Sequence, residues 1–170
     1  MRRRLVFYLL RQWVAVVLLL SPALSATLLN DPKGFQNISW GSPLHDRSDM
    51  VLVEPGERIK GYAIKDDPLQ LGEARVESVK FFTIDGKFVR VVVRYRGEKT
   101  QAQVLSYVEA QFGPADRRPG AMIRGLNQEF TWLGEETSVS LTYGGQRERG
   151  DLFIESRLLA PLFMDALGGA

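Results

Sequence analysis

The 170-residue chain contains no cysteine and a single histidine, His45. The first absence excludes disulfides, thiolate nucleophiles, cysteine-ligated metals and a lipidated N-terminal cysteine. The second leaves any imidazole-based metal or general-base site to be built around one residue. His45 sits in HDRSD, with Asp46 and Asp49 beside it in sequence. As a site this would be a minor hydrolase centre. As ordinary structure it is a surface histidine with carboxylates placed near a helix N-terminus, where the dipole favours them. No serine lies in a Gly-x-Ser-x-Gly setting, and no phosphate loop or dinucleotide fingerprint occurs. Gly144-Gly145 reads as a hairpin turn. Glu135-Glu136 are neighbours on a turn and do not face a common bond as a glycosidase pair would. No catalytic residue, cofactor or metal is therefore assigned, and the expectation is a non-enzymatic protein.

Long apolar runs are also lacking. The longest, Leu5 to Leu20, is broken by Arg11 and Gln12 and falls short of the roughly 20 residues of a membrane span. It follows Arg2, Arg3 and Arg4 and precedes Ser21-Pro22 and the small residues of Ala23-Leu24-Ser25. That order reads as a secretory signal over residues 1–25, cleaved after Ser25 or Ala26, with an uncleaved anchor as the alternative. The paired arginines also admit twin-arginine export, which Leu5-Val6 do not strengthen. The expected location is periplasmic or secreted.

Removing that segment removes the excess of positive charge. Four of the 22 Lys and Arg lie in residues 1–25, so 22 − 4 = 18 remain against 20 Asp and Glu, a net of −2. A weakly acidic domain lacks the electrostatic footprint of a nucleic-acid binder. The expected partner is instead a protein or a component of the cell envelope.

What is present is a strand and a helix in close succession. Phe88 to Arg96 is rich in β-branched and aromatic residues, with Val89, Val91, Val93 and Tyr95 at period two. Thr100 and Gln103 have the spacing of a capping box, and Gly113-Pro114 closes the helix after Phe112. Its apolar stripe is Ala102, Leu105, Val108 and Phe112, widened by Val104. Ser42-Pro43 predicts a short helix nearer the N-terminus, preceded by Phe35, Ile38 and Trp40 as a plug on the sheet. Val51–Val53 and Ile59–Ile64 predict a hairpin, and Asp85-Gly86 a tight turn between Val76–Asp85 and Phe88–Arg96. Strands are expected over 128–133, 137–143 and 151–158, and a short amphipathic helix over 160–167. TSVSLTY alternates Val139, Leu141 and Tyr143 with Ser138, Ser140 and Thr142, as in a sheet with one wet face. The fold class is α+β: an antiparallel meander with a long helix at about 100–112 and a short N-terminal helix packed on one face. Residues 26–170 form one domain, and the layout admits two unequal helix-meander halves, about 35–96 and 97–160.

The helix ending VLSYVEAQFGPADR, followed by EFTWLG and SVSLTY, resembles small exported domains of the BamE/SmpA type. SWGSPLHD is similar to the aromatic-Gly-(Ser/Thr) entry of many small periplasmic proteins. Tandem copies of a like unit occur in β-lactamase-inhibitor-like proteins. The resemblance covers residues 35–158 in layout and implies a fold and a compartment, with envelope assembly or enzyme inhibition as the expected role. BamE-type proteins are lipoproteins, and this chain has no cysteine to lipidate.

The same alternation that assigns Val89, Val91 and Val93 inward leaves Phe88, Arg90, Val92, Arg94 and Arg96 on the other face of the strand. Arginine interleaved with aromatics is a composition of binding surfaces; the alternative is that arginine stems cover a wet sheet face. On the preceding strand either Val79, Phe81 and Thr83 or Lys80, Phe82 and Ile84 share that face. The loop 114–125, with Arg117, Arg118 and Arg124, is a second candidate contact. The candidate partner-binding residues are Phe88, Arg90, Arg94, Arg96, Arg117, Arg118 and Arg124.

Overall fold

A computed structural model of the chain describes residues 28–114 and 127–168. The expected signal segment and the arginines at 117, 118 and 124 lie outside the described residues. The elements run β1 (Gly34–Phe35), β2 (Ile38–Ser39), β3 (Met50–Glu54), β4 (Ile59–Ile64), β5 (Gln70–Leu71), β6 (Ala74–Arg75), β7 (Ser78–Ile84), β8 (Lys87–Arg96), α1 (Glu98–Phe112), β9 (Gln128–Leu133), β10 (Thr137–Gly144), β11 (Arg149–Ser156) and α2 (Ala160–Gly168). Seven strands make one antiparallel sheet in the order β3-β4-β7-β8-β11-β10-β9, and β1-β2 and β5-β6 form two small hairpins. Two meanders thus run inward from opposite edges, meet at β8 and β11, and each is followed by a helix.

The fold class is the α+β meander the sequence predicts. The tight turn into β8 is at Asp85-Gly86, with φ of 48° and 80°, the mirror-image turn that suits a hairpin's twist. The wet face of β10 is also as read: Val139, Leu141 and Tyr143 are buried, and Ser138, Ser140 and Thr142 are half-buried on the other side.

The predicted N-terminal helix does not form. Residues 42–49 make successive tight turns, with Arg47 N–H donating to Leu44 C=O at 3.3 Å and Met50 N–H to Arg47 C=O at 3.2 Å. The reason lies in the backbone just before them. Gly41 N–H donates to Phe88 C=O at 2.8 Å, and Phe88 N–H donates to Ser42 C=O at 2.9 Å. The Ser42 carbonyl that would open a helix is spent on β8. The long helix also starts earlier than its apparent capping box. Gly97, which has no side chain to cap with, is the N-cap at φ 93°, and its N–H is held by Glu148 C=O at 2.8 Å. A glycine reaches that backbone region without steric cost. The buried stripe of α1 is Gln101, Val104, Val108 and Phe112, while Ala102 is exposed.

One face of the sheet holds the main core. Val91, Val93 and Tyr95 of β8 lie between Val79 and Phe81 of β7 and Leu152 and Ile154 of β11, under Val104, Val108 and Phe112 of α1. The Tyr95 ring crosses Gly150, its partner on β11, where a Cβ would overlap the ring. Its hydroxyl donates to Gln101 Oε1, and Gln101 Nε2 donates to Gln128 Oε1 at 3.1 Å, so one buried polar chain ties β8, α1 and β9. The entry plug is as expected: Phe35 and Ile38 are buried, and Trp40 lies 4.7 Å from Phe88 between ring centroids.

The alternation of β8 breaks at one residue. Phe82 pairs with Arg90 and Thr83 with Phe88, so Val89 is an extra residue opposite no partner. Such a bulge reverses the inward-outward sense of everything before it. Phe88 therefore points into the main core, fully buried against Phe81 and Trp40. Val89 points to the opposite face, into a second cluster with Ile84 and Phe163. The reading that placed Val89 in the main core and Phe88 on the outer face is corrected accordingly. Phe163 comes from α2, so the two helices pack on opposite faces of the sheet.

Two predictions follow from this packing. Phe88→Ala should cost about 3–5 kcal/mol in urea unfolding, as for other fully buried aromatics; a loss typical of surface positions would contradict the bulge. Burial, with Asp151 and Tyr143 adding to it, pushes the Tyr95 phenol well above its ordinary value. The folded state thus favours the neutral phenol. Its contribution is fully present below the unfolded pKa of about 10 and is lost as pH rises past it. Stability should fall above that pH, and less steeply in Tyr95→Phe; parallel slopes would exclude Tyr95 as a source.

Candidate functional site

The bulge also decides which side chains share the outer face of β8. Arg90 pairs across to Phe82 and Glu155, Val92 to Lys80 and Phe153, and Arg94 to Ser78 and Asp151. Of the two sets open on β7, Lys80, Phe82 and Ile84 are the ones on this face. Lys80 is ion-paired to Glu54 of β3.

Arg90 is no longer a free binding group. Its Nε donates to Glu155 Oε2 at 2.7 Å and its Nη2 lies 2.5 Å from the same oxygen. The guanidinium carbon stands 4.4 Å from the Phe163 ring centroid, a cation–π distance, and Nη2 donates to Met164 Sδ at 3.4 Å. Phe82 meets Phe163 edge-on at 6.0 Å and 74°. Arg90 is thus the group that seats α2 on the sheet, and its side chain is 13% exposed. Phe88 is absent from this face, as described above.

Arg94 and Arg96 differ from it. Among the described residues the side chain of each makes one hydrogen bond, through Nε: Arg94 to Asp151 Oδ1 and Arg96 to Glu77 Oε1, both at 3.2 Å. Their side chains are 62% and 51% exposed. The outer face therefore divides. Its α2 end is closed by Arg90, Phe82 and Phe163, and its other end is an open rim carrying Arg94 and Arg96. Asp151 and Glu155 lie more than 50 residues from their arginines in sequence, so their arrival opposite β8 depends on the β8–β11 register.

His45 and Asp49 do not converge. His45 Nε2 is 3.1 Å from Asp46 Oδ1, both well exposed. Asp49 is held by Arg47 in a two-point pair at 3.1 and 2.7 Å, and that hydrogen bond keeps its carboxyl below the usual range. Among the described residues no group of three or more His, Asp or Glu is placed to hold a metal ion.

A different feature carries no signal in charge or motif. β3 is an edge strand, and Val51, Leu52 and Val53 on it are 42%, 48% and 43% exposed. Lys65 N–H donates to Asp49 C=O at 2.9 Å, which sets the phase of the β3–β4 ladder. Asp49 and Val51 then bond towards β4, and Met50 and Leu52 turn their backbone groups outward. Met50 N–H is taken by Arg47 C=O; by this phase the N–H and C=O of Leu52 point away from β4, and no partner for them is found among the described residues. The opposite edge, β9, is partly covered, since Leu28 N–H donates to Leu133 C=O at 3.3 Å. A run of three apolar residues, VLV, was the only sequence trace of this edge.

No protein-family model, no curated protein and no solved structure matches the chain. No helix among the described residues is long and apolar enough to cross a membrane.

The division of the outer face is testable by stability alone. Arg90→Met keeps the stem but leaves the Glu155 carboxylate without its cation, and should cost about 1–3 kcal/mol in urea unfolding. Arg94→Met, on the open rim, should change stability by no more than about 0.5 kcal/mol. Equal effects would mean that Arg90 does not seat α2.

Proposed function

We propose that this chain is an exported, non-enzymatic binding module that takes an extended segment of a partner protein onto the edge of its sheet at β3. The observation that carries this reading is the bare, apolar β3 edge. Folded proteins guard such edges with charge, proline, a bulge or a covering segment, because open backbone groups beside apolar side chains recruit another strand. Here Pro55 and a register shift at Val53, between Leu52 and Glu54, guard the C-terminal end of the strand, while the side chains of Val51, Leu52 and Val53 stay exposed. Strand addition supplies affinity through main-chain hydrogen bonds and specificity through alternate side chains.

Export rests on the basic and apolar N-terminal segment. The role in envelope assembly implied by the BamE/SmpA-type layout is a case of the same reading. So is inhibition of an exported enzyme, with the enzyme supplying the added strand. Arg90, one of the sheet-face candidates, is consumed in seating α2, which moves the proposed docking surface from the face to the edge.

A photo-crosslinker at position 53 of the mature protein in its native host tests this. The expected result is a crosslinked partner polypeptide that disappears in Leu52→Pro. Proline on an edge, where the N–H faces outward, leaves the ladder intact but removes the open donor. The same adduct in the variant, or an adduct made only of a second copy of this chain, would overturn the reading.

A further inference from the structure

At the rim end of the sheet, away from β3, a cleft of about 640 Å³ lies between the β10–β11 turn and the ends of β8 and β9. Arg94, Arg147 and Arg149 line it, together with the amide side chains of Asn127 and Gln146. Its two carboxylates are already engaged. Asp151 accepts from Arg94, and Glu77 from Arg96, each through a single Nε–H. The Nη groups of Arg94 therefore keep their donors. Arg147 and Arg149 are exposed, and their side chains make no hydrogen bond or ion pair among the described residues. Elsewhere the chain closes such pairs at two points: Arg47 on Asp49 and Arg58 on Asp85 each use Nε and Nη2.

A second, independent observation points the same way. Arg149 is the direct cross-strand partner of Arg96. Like charges opposite each other weaken a ladder, and only Arg96 of the two has a counter-charge. The turn's own acid does not supply the other. Glu148, between Arg147 and Arg149 in sequence, makes no ion pair with either among the described residues. The cleft is thus a concave, amide-lined surface on which the guanidinium groups of Arg147 and Arg149 have no ion-pair partner among the described residues. Guanidinium groups with free Nη donors suit the planar or tetrahedral oxygens of carboxylate and phosphate.

We infer that this cleft is a binding site for a small polar molecule bearing a carboxylate or phosphate group, gripped by Arg147 and Arg149 with Arg94 at its wall. The anion sits where it neutralises the Arg96–Arg149 repulsion, and Asn127 and Gln146 meet the uncharged part of the ligand. The site shares no residue with the β3 edge and stands whether or not that edge docks a partner.

The test titrates the full mature protein with inorganic phosphate and, separately, with citrate, following backbone amides and arginine Nε–H groups by NMR. Saturable shifts are expected at Gly144, Gly150, Arg147 and Arg149 with at least one of the two probes. Response to phosphate alone assigns a phosphoryl ligand, and response to citrate alone a carboxylate. Arg147→Gln/Arg149→Gln should weaken binding at least about tenfold, the loss of a charge-assisted hydrogen bond, while its thermal midpoint without anion stays at or above that of the parent. Absence of saturation with both probes, or unchanged affinity in the double variant, would overturn the inference.

Discussion

The fold depends on one extra residue in its central strand. Without Val89, Phe88, Val91, Val93 and Tyr95 would all fall on the α1 face, and Val92 would be the one apolar side chain that β8 places beside Arg90 on the outer face. With Val89 inserted, the hairpin end of β8 delivers a large ring, Phe88, to one face and an aliphatic side chain to the other. The first fills the space between Phe81 and Trp40. The second joins Ile84, Phe82 and Ile59 in the apolar seat of α2. A bulge also deepens local twist, and here it lies where the N-terminal entry crosses, with Gly41 and Ser42 bonded to both backbone groups of Phe88.

That crossing makes the entry segment a clasp between the two meanders. Trp40 stacks on Phe88 of the first, and its Nε1–H donates to Thr137 Oγ1 of the second at 2.8 Å. Thr137 in turn donates to Pro32 C=O, and the Asp31 carboxylate accepts from the N–H groups of Glu136 and Thr137 at 2.7 and 3.0 Å. At the far end Trp132 donates to Gly113 C=O at 2.8 Å, fixing the end of α1 to β9. The indole nitrogens are the polar handles by which large buried rings acquire a single orientation. Short-range pairing builds each meander, and these long-range bonds set how the meanders meet.

Much of this architecture was legible because it rests on local chemistry. The mirror-image turn at Asp85-Gly86, the alternation of β10 and the Gly113 stop of α1 each follow from residues within a few positions. The failures share one cause: a local signal outcompeted by a distant partner. Ser42-Pro43 has helix-start chemistry, but its carbonyl is taken by Phe88. Thr100 and Gln103 resemble a capping box, but Glu148 holds Gly97 one turn's breadth earlier. Phe88 and Val89 are both apolar, so no pattern of hydrophobicity distinguishes a bulge from a regular strand at that pair. The arginines were found on the correct face, yet their carboxylates, Glu155 and Asp151, come from β11, and composition carries no register.

Where binding is to be sought follows from what the fold leaves unsatisfied. Among the described residues no buried side-chain nitrogen or oxygen lacks a hydrogen-bond partner. The α1 face is filled by the main core, and the α2 end of the other face is closed by Arg90 and Phe163. Among the described residues, two places of different kind are proposed for binding. The β3 edge offers backbone groups and apolar side chains, which select for an extended chain. The rim offers guanidinium donors and amides, which select for charge. Opposite needs at opposite ends of one sheet allow the two to be occupied together, because neither ligand would touch a residue the other uses.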